Sequence, residues 1–450
     1  MMTRLGGDAA RLIIVVLVMC GVVAVYMPAL TRTIEYDEAF TSLNYSVDPS
    51  IAIFGYSFPN NHLLYSLSAW ASQGVWGHNL IGLRFPAWAA ALLSLALIFR
   101  MGQRIGGFSA GLASIVLLGG ALLFQQYATE GRGYTLTGLL ALMLLYQVEW
   151  KRPNPSHRYR YTLMLLCFLL MITLISMAFW IAVMLGWLIL RDRLNRYNFT
   201  NVYWPMIIGS LLGLTPYSYA FAVGRIQAHA TFFGYQDFVL LGRDLLLTFF
   251  TPNLFGLCLA LAFVVGIIRL WQLQRQKAQM ILCLALLTLI LSIAQWVITD
   301  RLLYPRNYFY LLPMIALIAG MCFAHLHTSV LLGLIAFMIG ASTLGVAQLQ
   351  RPSDRLNTVY QIFQQHLTPT DSLLGGCCLD YPLYHRFRQT IDERIYIITP
   401  QTTRIILWID EVNTPEKIIQ DYKLEPFITM DECAPEQWDQ LTVLVCSLES

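Results

Sequence analysis

Residues 12–30 read LIIVVLVMCGVVAVYMPAL, nineteen positions without a charge. A helix of that length reaches about 28 Å, close to the hydrocarbon thickness of a bilayer. Similar runs recur to about residue 348, which predicts a polytopic α-helical membrane protein. Only 12% of residues are charged, where a soluble domain has about one quarter. The 13% aromatic content suits side chains collected at two membrane interfaces. The first run is longer than a signal-peptide core and no clean small-x-small site follows it, so it is read as an uncleaved anchor. A net charge of +3 without a basic cluster excludes an obvious nucleic-acid partner.

About eleven transmembrane helices are predicted, over 12–30, 85–100, 108–126, 134–149, 161–176, 177–190, 203–221, 245–268, 279–298, 308–324 and 329–348. The apolar stretch 161–190 is divided in two because the charges then alternate. With the N-terminus inside, the inner segments hold fourteen basic residues against three acidic, and the outer loops seven basic against eight acidic. A single helix there would put Lys151 and Arg152 on the opposite side from Arg191 and Arg193. The outer loop 31–84 is long and aromatic, and IAIFGYSF and NNHLLYSLSAWASQGVW suit interfacial helices.

From about residue 352 the pattern changes. LNTVYQIFQQHL and TPEKIIQDY read as amphipathic helices; DSLLGGCC, RIYIIT, RIILWID and LTVLVCS read as short strands. The expected organisation is a membrane domain over 1–350 and a small α/β domain over 351–450, placed outside by the odd number of spans. Cys377, Cys378, Cys433 and Cys446 permit two disulfides in any of three connectivities, or free thiols.

Chemistry is expected where polar residues interrupt the outer side. TIEYDEAFTS, 33–42, sets Glu35, Asp37 and Glu38 directly after the first span. Acids in a first helical turn under a Thr33 cap account for Glu35, and as readily for Glu38 as a functional role does. Asp37 is favoured as functional. FPNNHLLY, 58–65, offers Asn61 and His62 at a turn before a helix, or simply a cap with an interfacial histidine. Arg84 in LRFPAW stands at the mouth of a span, where a snorkelling arginine is common. YATEGRGYTL, 127–136, places Glu130, Arg132 and Tyr134 in a tight turn between spans, as a site or as a salt-bridged hairpin tip. DRLLYPRNYFYLLP, 300–313, adds Arg301 and Arg306, whose planar forks match phosphate oxygens. His325 and His327 lack a third ligand nearby, and no Walker loop, HExxH or dinucleotide turn occurs.

YDEAFT at 36–41, NNHLLY at 60–65, LRFPAWAAAL at 83–92, TEGRGYTLTGLLAL at 129–142 and PRNYFYLLPMIALIAG at 305–320 together resemble the polyprenyl-phosphate-sugar-dependent glycosyltransferases of the C superfamily. The likeness is to bacterial proteins of the protein O-mannosyltransferase and aminoarabinose-transferase type, and covers about 10–350. It departs at Leu63, where the family often has proline after the histidine. The resemblance implies an inverting transfer from a lipid-phosphate sugar to a hydroxyl of a protein, lipid or polysaccharide. It implies a bacterial inner-membrane location with the terminal domain periplasmic. Asp37 falls on the family's proposed general base, with Glu38 beside it. Arg132 and Arg306, with Arg84 third, would stabilise the departing phosphate, and Asn61, His62, Glu130 and Tyr134 would contact substrate. No cofactor is required, and a divalent metal stays open because some relatives use one. The rival is a flippase for lipid-linked sugars, which would instead place ionisable groups near the midplane.

Overall fold

The computed structural model describes residues 2–32, 34–54, 61–150, 156–192, 198–222, 237–299, 303–349, 361–363, 365–368, 371–375, 404–408, 433–438 and 441–447. Its contacts divide the chain into two units, residues 1–31 with 45–350 and residues 32–44 with 351–450.

Among the described residues, the regular elements of the first unit are all helical. Helix α1 (Met2–Tyr26) continues through a 3-10 turn, Met27–Thr31, to the end of the first apolar run. Segment 32–44 carries α2 (Tyr36–Asn44), which groups with the second unit. The long loop then folds into α3 (Pro49–Phe54) and α4 (Leu63–Trp76). The next helices are α5 (Leu80–Gly119), α6 (Leu122–Ala128), α7 (Tyr134–Trp150), α8 (His157–Thr173) and α9 (Met177–Asp192). After a π turn at Phe199–Tyr203 come α10 (Trp204–Gly213), α11 (Thr215–Ala222), α12 (Phe238–Phe249), α13 (Leu254–Leu273) and α14 (Arg275–Thr299). A 3-10 segment, Pro305–Leu311, leads into α15 (Leu312–Gly320), and α16 (Thr328–Leu349) ends the unit.

Among the described residues, five helical stretches are long and apolar enough to cross a membrane: Ala9–Thr31, Leu80–Gly119, Leu254–Leu273, Arg275–Thr299 and Pro305–Phe323. The expected division of 161–190 is present as the break between α8 and α9. The predicted span 245–268 is corrected to two helices, α12 and α13. Pro252 lacks an amide hydrogen, and the Asn253 side chain accepts from Gly256 N–H at 2.7 Å, so a new helix starts there. The predicted spans 85–100 and 108–126 fall on either side of a kink in α5 at Gly107, whose φ of 85° and ψ of −176° suit glycine alone, and the second runs on into α6. A Cβ on Gly107 would meet nothing within 4 Å, whereas one on Gly266 would lie 2.0 Å from the Ile318 carbonyl, where α13 and α15 touch backbone to backbone.

One end of the unit is fastened by charge. Arg191 at the end of α9 and Lys277 at the start of α14 both pair with the carboxylate of Glu149 at the end of α7. The Glu149 side chain is only 4% exposed. Trp187 Nε1 lies 3.5 Å from the same carboxylate, and Lys277 sits 4.9 Å from the centre of the Trp150 ring. All three charged residues belong to segments assigned to the inner side.

The second unit contains a four-stranded sheet of order β1-β2-β4-β3, formed by Asp371–Gly375, Arg404–Trp408, Leu441–Ser447 and Cys433–Trp438 respectively. Strands β1 and β2 are parallel and the other pairs antiparallel. Arg404 grips Asp371 with two hydrogen bonds of 2.8 and 2.7 Å, and Cys433 is disulfide-bonded to Cys446 directly across β3 and β4. Three of the expected strand runs are present; β3, CAPEQW, is not among those the sequence predicts, and it contains Pro435. That proline is tolerated because β3 is an edge. RIYIIT, TPEKIIQDY, Cys377 and Cys378 lie outside the described residues.

Two outcomes are expected. Glu149→Ala takes the carboxylate from Lys277 and leaves Arg191 with Asp192, and should cost about 1–3 kcal/mol, read as a lowered thermal midpoint in detergent. Cys433 and Cys446 should resist maleimide labelling in the purified protein until reductant is added, as read by mass spectrometry.

Candidate active site

The loop before α4 is built on backbone carbonyls. Asn61 Nδ2 donates to Ala52 O at 2.8 Å, and its Oδ1 accepts from Ser66 Oγ at 2.8 Å. Tyr65 Oη donates to Leu83 O at 2.6 Å, joining α4 to α5. These bonds hold His62 at the entrance of α4, where it is almost fully buried.

The second contributor is the hairpin between α6 and α7. Thr129 Oγ1 donates to Gln125 O at 2.9 Å, and Arg132 N–H to Glu130 O at 2.7 Å, closing a tight turn. Thr135 Oγ1 donates to Ala87 O at 3.1 Å and pins the start of α7 to α5. The turn meets His62. Gly133 N–H donates to His62 Nδ1 at 3.1 Å, and Arg132 Nη2 lies 3.3 Å from His62 Nε2. A Cβ on Gly133 would come within 2.6 Å of Nδ1, so only glycine allows this approach. The Tyr134 ring stands edge-on to the imidazole at 4.9 Å and beneath the Arg132 guanidinium at 5.8 Å.

The third contributor is the 3-10 segment before α15. Phe309 packs against Tyr127 at 5.2 Å and Phe124 at 6.4 Å, and Tyr308 Oη pairs with Ser292 Oγ at 2.9 Å. Arg306 precedes this anchor, half-buried, with its guanidinium 5.1 Å from the Tyr304 ring. Burial, and then the charges of Arg132 and Arg306, hold the His62 imidazole well below its ordinary range, so it is neutral at pH 7. Burial, Tyr134 and Glu130 push the Tyr127 hydroxyl well up, against a pull from Arg306 and Arg132.

Of the residues expected to act, His62, Glu130, Arg132, Tyr134 and Arg306 thus gather at the hairpin before α7. Asn61 is buried and engaged with Ala52 and Ser66, and Arg84 is buried with Nη1 donating to Leu30 O at 2.7 Å. Asp37 and Glu38 lie on α2, in the other unit. That helix begins at Tyr36, with Glu35 O accepting from Ala39 N–H at 2.8 Å; Thr33 lies outside the described residues. The Glu38 carboxylate accepts from Glu35 N–H at 3.3 Å, the reciprocal half of a capping box. Asp37, one position earlier, is half-buried. Gly133 was missed as a functional position; only the doubled glycine around Arg132 hinted at it. Among the described residues, no three His, Cys, Asp or Glu side chains gather closely enough to hold a metal ion.

No protein-family model and no curated protein sequence matches the chain. Solved structures do. The fold is similar to that of ArnT from Cupriavidus metallidurans in the apo state, at 14% identity over 97% of this chain and 98% of that one, with a TM-score of 0.64. The same protein bound to undecaprenyl phosphate matches at 12% identity over 96% and 97%, also with a TM-score of 0.64. The archaeal oligosaccharyltransferase AglB from Archaeoglobus fulgidus, with an inhibitory peptide and a dolichol-phosphate, matches at 11% identity over 88% of this chain and 60% of that one, with a TM-score of 0.50. An Archaeoglobus fulgidus oligosaccharyltransferase complex with Zn and sulfate gives the same TM-score of 0.50 over 67% of that chain. The chain therefore has the fold these membrane transferases share.

The buried imidazole predicts acid sensitivity. A histidine held neutral in the folded state binds fewer protons than in the unfolded chain, so stability falls as pH drops below about 6.5. The thermal midpoint of wild type should fall faster between pH 6.5 and 5 than that of His62→Gln, measured in parallel by fluorescence.

Proposed function

We propose that this chain is an integral-membrane, inverting glycosyltransferase that moves a sugar from a polyprenyl-phosphate donor to a hydroxyl acceptor at the outer face of the membrane. The observation that carries the reading is the meeting of His62, Arg132 and Arg306 in a buried hairpin site. Its support is a fold that, in another protein, was crystallised with undecaprenyl phosphate. Two arginines and an N–H donor suit a phosphate, and the apolar helices around them suit its lipid tail.

In this reading Asp37 is the general base. It takes the proton of the acceptor hydroxyl while the acceptor oxygen forms its bond to the anomeric carbon from the side opposite the phosphate. The carbon–oxygen bond to phosphate breaks, and its electron pair leaves on polyprenyl phosphate. Base catalysis of this kind is worth about 10²–10⁴-fold. Arg132 and Arg306 stabilise the charge that grows on the leaving phosphate, so no protonation of the leaving group is needed. Glu130 and Tyr134 orient sugar or acceptor hydroxyls, and Glu38 steadies the first turn of the helix that carries Asp37. Arg84 orients the site indirectly, through its bond to the end of the first span.

The proposed setting is a bacterial inner membrane with the N-terminus cytoplasmic and the terminal domain periplasmic. The Glu149 clamp supports the grouping of the three segments assigned to the inner side, since it joins them at the end of α7 remote from Arg132.

The test uses purified wild type and Asp37→Asn with a panel of polyprenyl-phosphate sugars and a membrane lipid extract as acceptor. Wild type should release polyprenyl phosphate and transfer labelled sugar. Asp37→Asn should lose transfer at least about 100-fold while still binding the donor. Full transfer by the variant would remove Asp37 from the mechanism. Arg132→Gln and Arg306→Gln should each weaken undecaprenyl phosphate binding about tenfold or more, read by tryptophan quenching.

A further inference from the structure

His62 has two ring nitrogens and a donor aimed at each: Gly133 N–H at Nδ1, 3.1 Å away, and Arg132 Nη2 at Nε2, 3.3 Å away. A neutral imidazole has one lone pair to accept with and one N–H to donate. An arginine cannot serve as acceptor, so one of the two approaches is a donor facing a donor.

The backbone decides which. Gly133 N–H is fixed by the turn that Arg132 N–H and Glu130 O close and by the pinned start of α7. It cannot swing aside, and its close approach depends on the missing Cβ. The Arg132 side chain, with several rotatable bonds, can. Nδ1 therefore keeps its lone pair for Gly133, and the proton resides on Nε2. Nε2–H and Arg132 Nη2–H are then neighbouring donors that cannot bond each other. Both can bond a single anionic oxygen placed between them, and the Arg306 charge also acts on the ring.

We propose that Gly133 is a positioning residue: its N–H locks His62 in the Nε2–H tautomer and turns the imidazole into an uncharged donor, paired with Arg132, for one oxygen of the donor lipid's phosphate. The identity of that phosphate rests on the reading under Proposed function; the tautomer does not. An uncharged donor adds a directed hydrogen bond without adding a third positive charge to hold back the lipid phosphate after transfer. The ring also stays uncharged across neutral pH, because burial first, and then the charges of Arg132 and Arg306, oppose a second proton.

Two measurements test this. The first needs no lipid. Wild type and His62→Gln, with histidine labelled by ¹³C and ¹⁵N in nanodiscs, give a difference spectrum that isolates the His62 ring. The Nε2–H tautomer at pH 7 supports the lock, and the Nδ1–H tautomer or a charged ring overturns it. The second is binding of undecaprenyl phosphate to wild type, His62→Asn, His62→Gln and Gly133→Ala. Asparagine can accept from Gly133 but reaches no further, while glutamine can place an amide donor near Nε2. His62→Asn should weaken binding about tenfold or more, and His62→Gln about threefold or less. Gly133→Ala should lose affinity and also shift the His62 ring signals. Equal losses in the two His62 variants, or a greater loss in His62→Gln, overturn the role of the Nε2 donor. If wild type binds no undecaprenyl phosphate while its ring is Nε2–H, the functional reading fails and the phosphate role falls with it. The tautomer lock alone then stands.

Discussion

The carboxylate of Glu149, held between Arg191 and Lys277, is the interaction on which the placement of α7 depends. In hydrocarbon, helices gain little by hiding apolar surface from one another, so polar contacts and close packing must fix their rotation and height. Glu149 does so at one end of α7, and Thr135 does so at the other through the Ala87 carbonyl. The helix has 17 residues, so these points lie some 20–25 Å apart. A helix secured at both ends can present the hairpin before it at a set position. The His62–Gly133 contact, which tolerates no added methyl group, needs that precision.

The hairpin also shows how a site can be rigid while being mostly apolar. Tyr127, Tyr134, Phe309 and Phe124 form a connected run of ring contacts beneath the charged groups. Such a floor excludes water, which strengthens each remaining charge and lowers the proton affinity of the imidazole. Cationic forks therefore need not be numerous. Arg132 and Arg306 both bear on the buried His62 ring, with a force that a solvated surface would dilute.

Much of this was legible in the sequence, and the parts that were not share a cause. The helical membrane character and three strands of the terminal sheet follow from local pattern, and the break inside 161–190 follows from the alternation of charge. So does the sidedness of Glu149, Arg191 and Lys277, which charge bias alone assigned to one face. Asn61 and Arg84 were read for chemistry because their polarity is local, but their hydrogen bonds go to Ala52, Ser66 and Leu30, and the arginine's partner is fifty-four positions away. No spacing rule announces such a bond. For Glu38 the sequence leaves cap and function evenly open; its bond to Glu35 N–H, from the third position of the helix, supplies the capping role without deciding the other. The value of Gly133 was hidden because a glycine in a turn already has an ordinary explanation.

Gly107 and Gly266 are both glycines, yet the chain depends on them for different reasons. At Gly266 there is no room: the neighbouring carbonyl occupies the volume that a methyl group would take. At Gly107 there is room, and what is excluded is a hand. Its φ and ψ are near the mirror image of an ordinary extended residue. A D-alanine there would adopt this backbone without torsional strain where the natural L-alanine would not, whereas at 266 an L-alanine fails for want of space. The bend in α5 is therefore a stereochemical requirement, and a sequence written only in L-residues can meet it in one way.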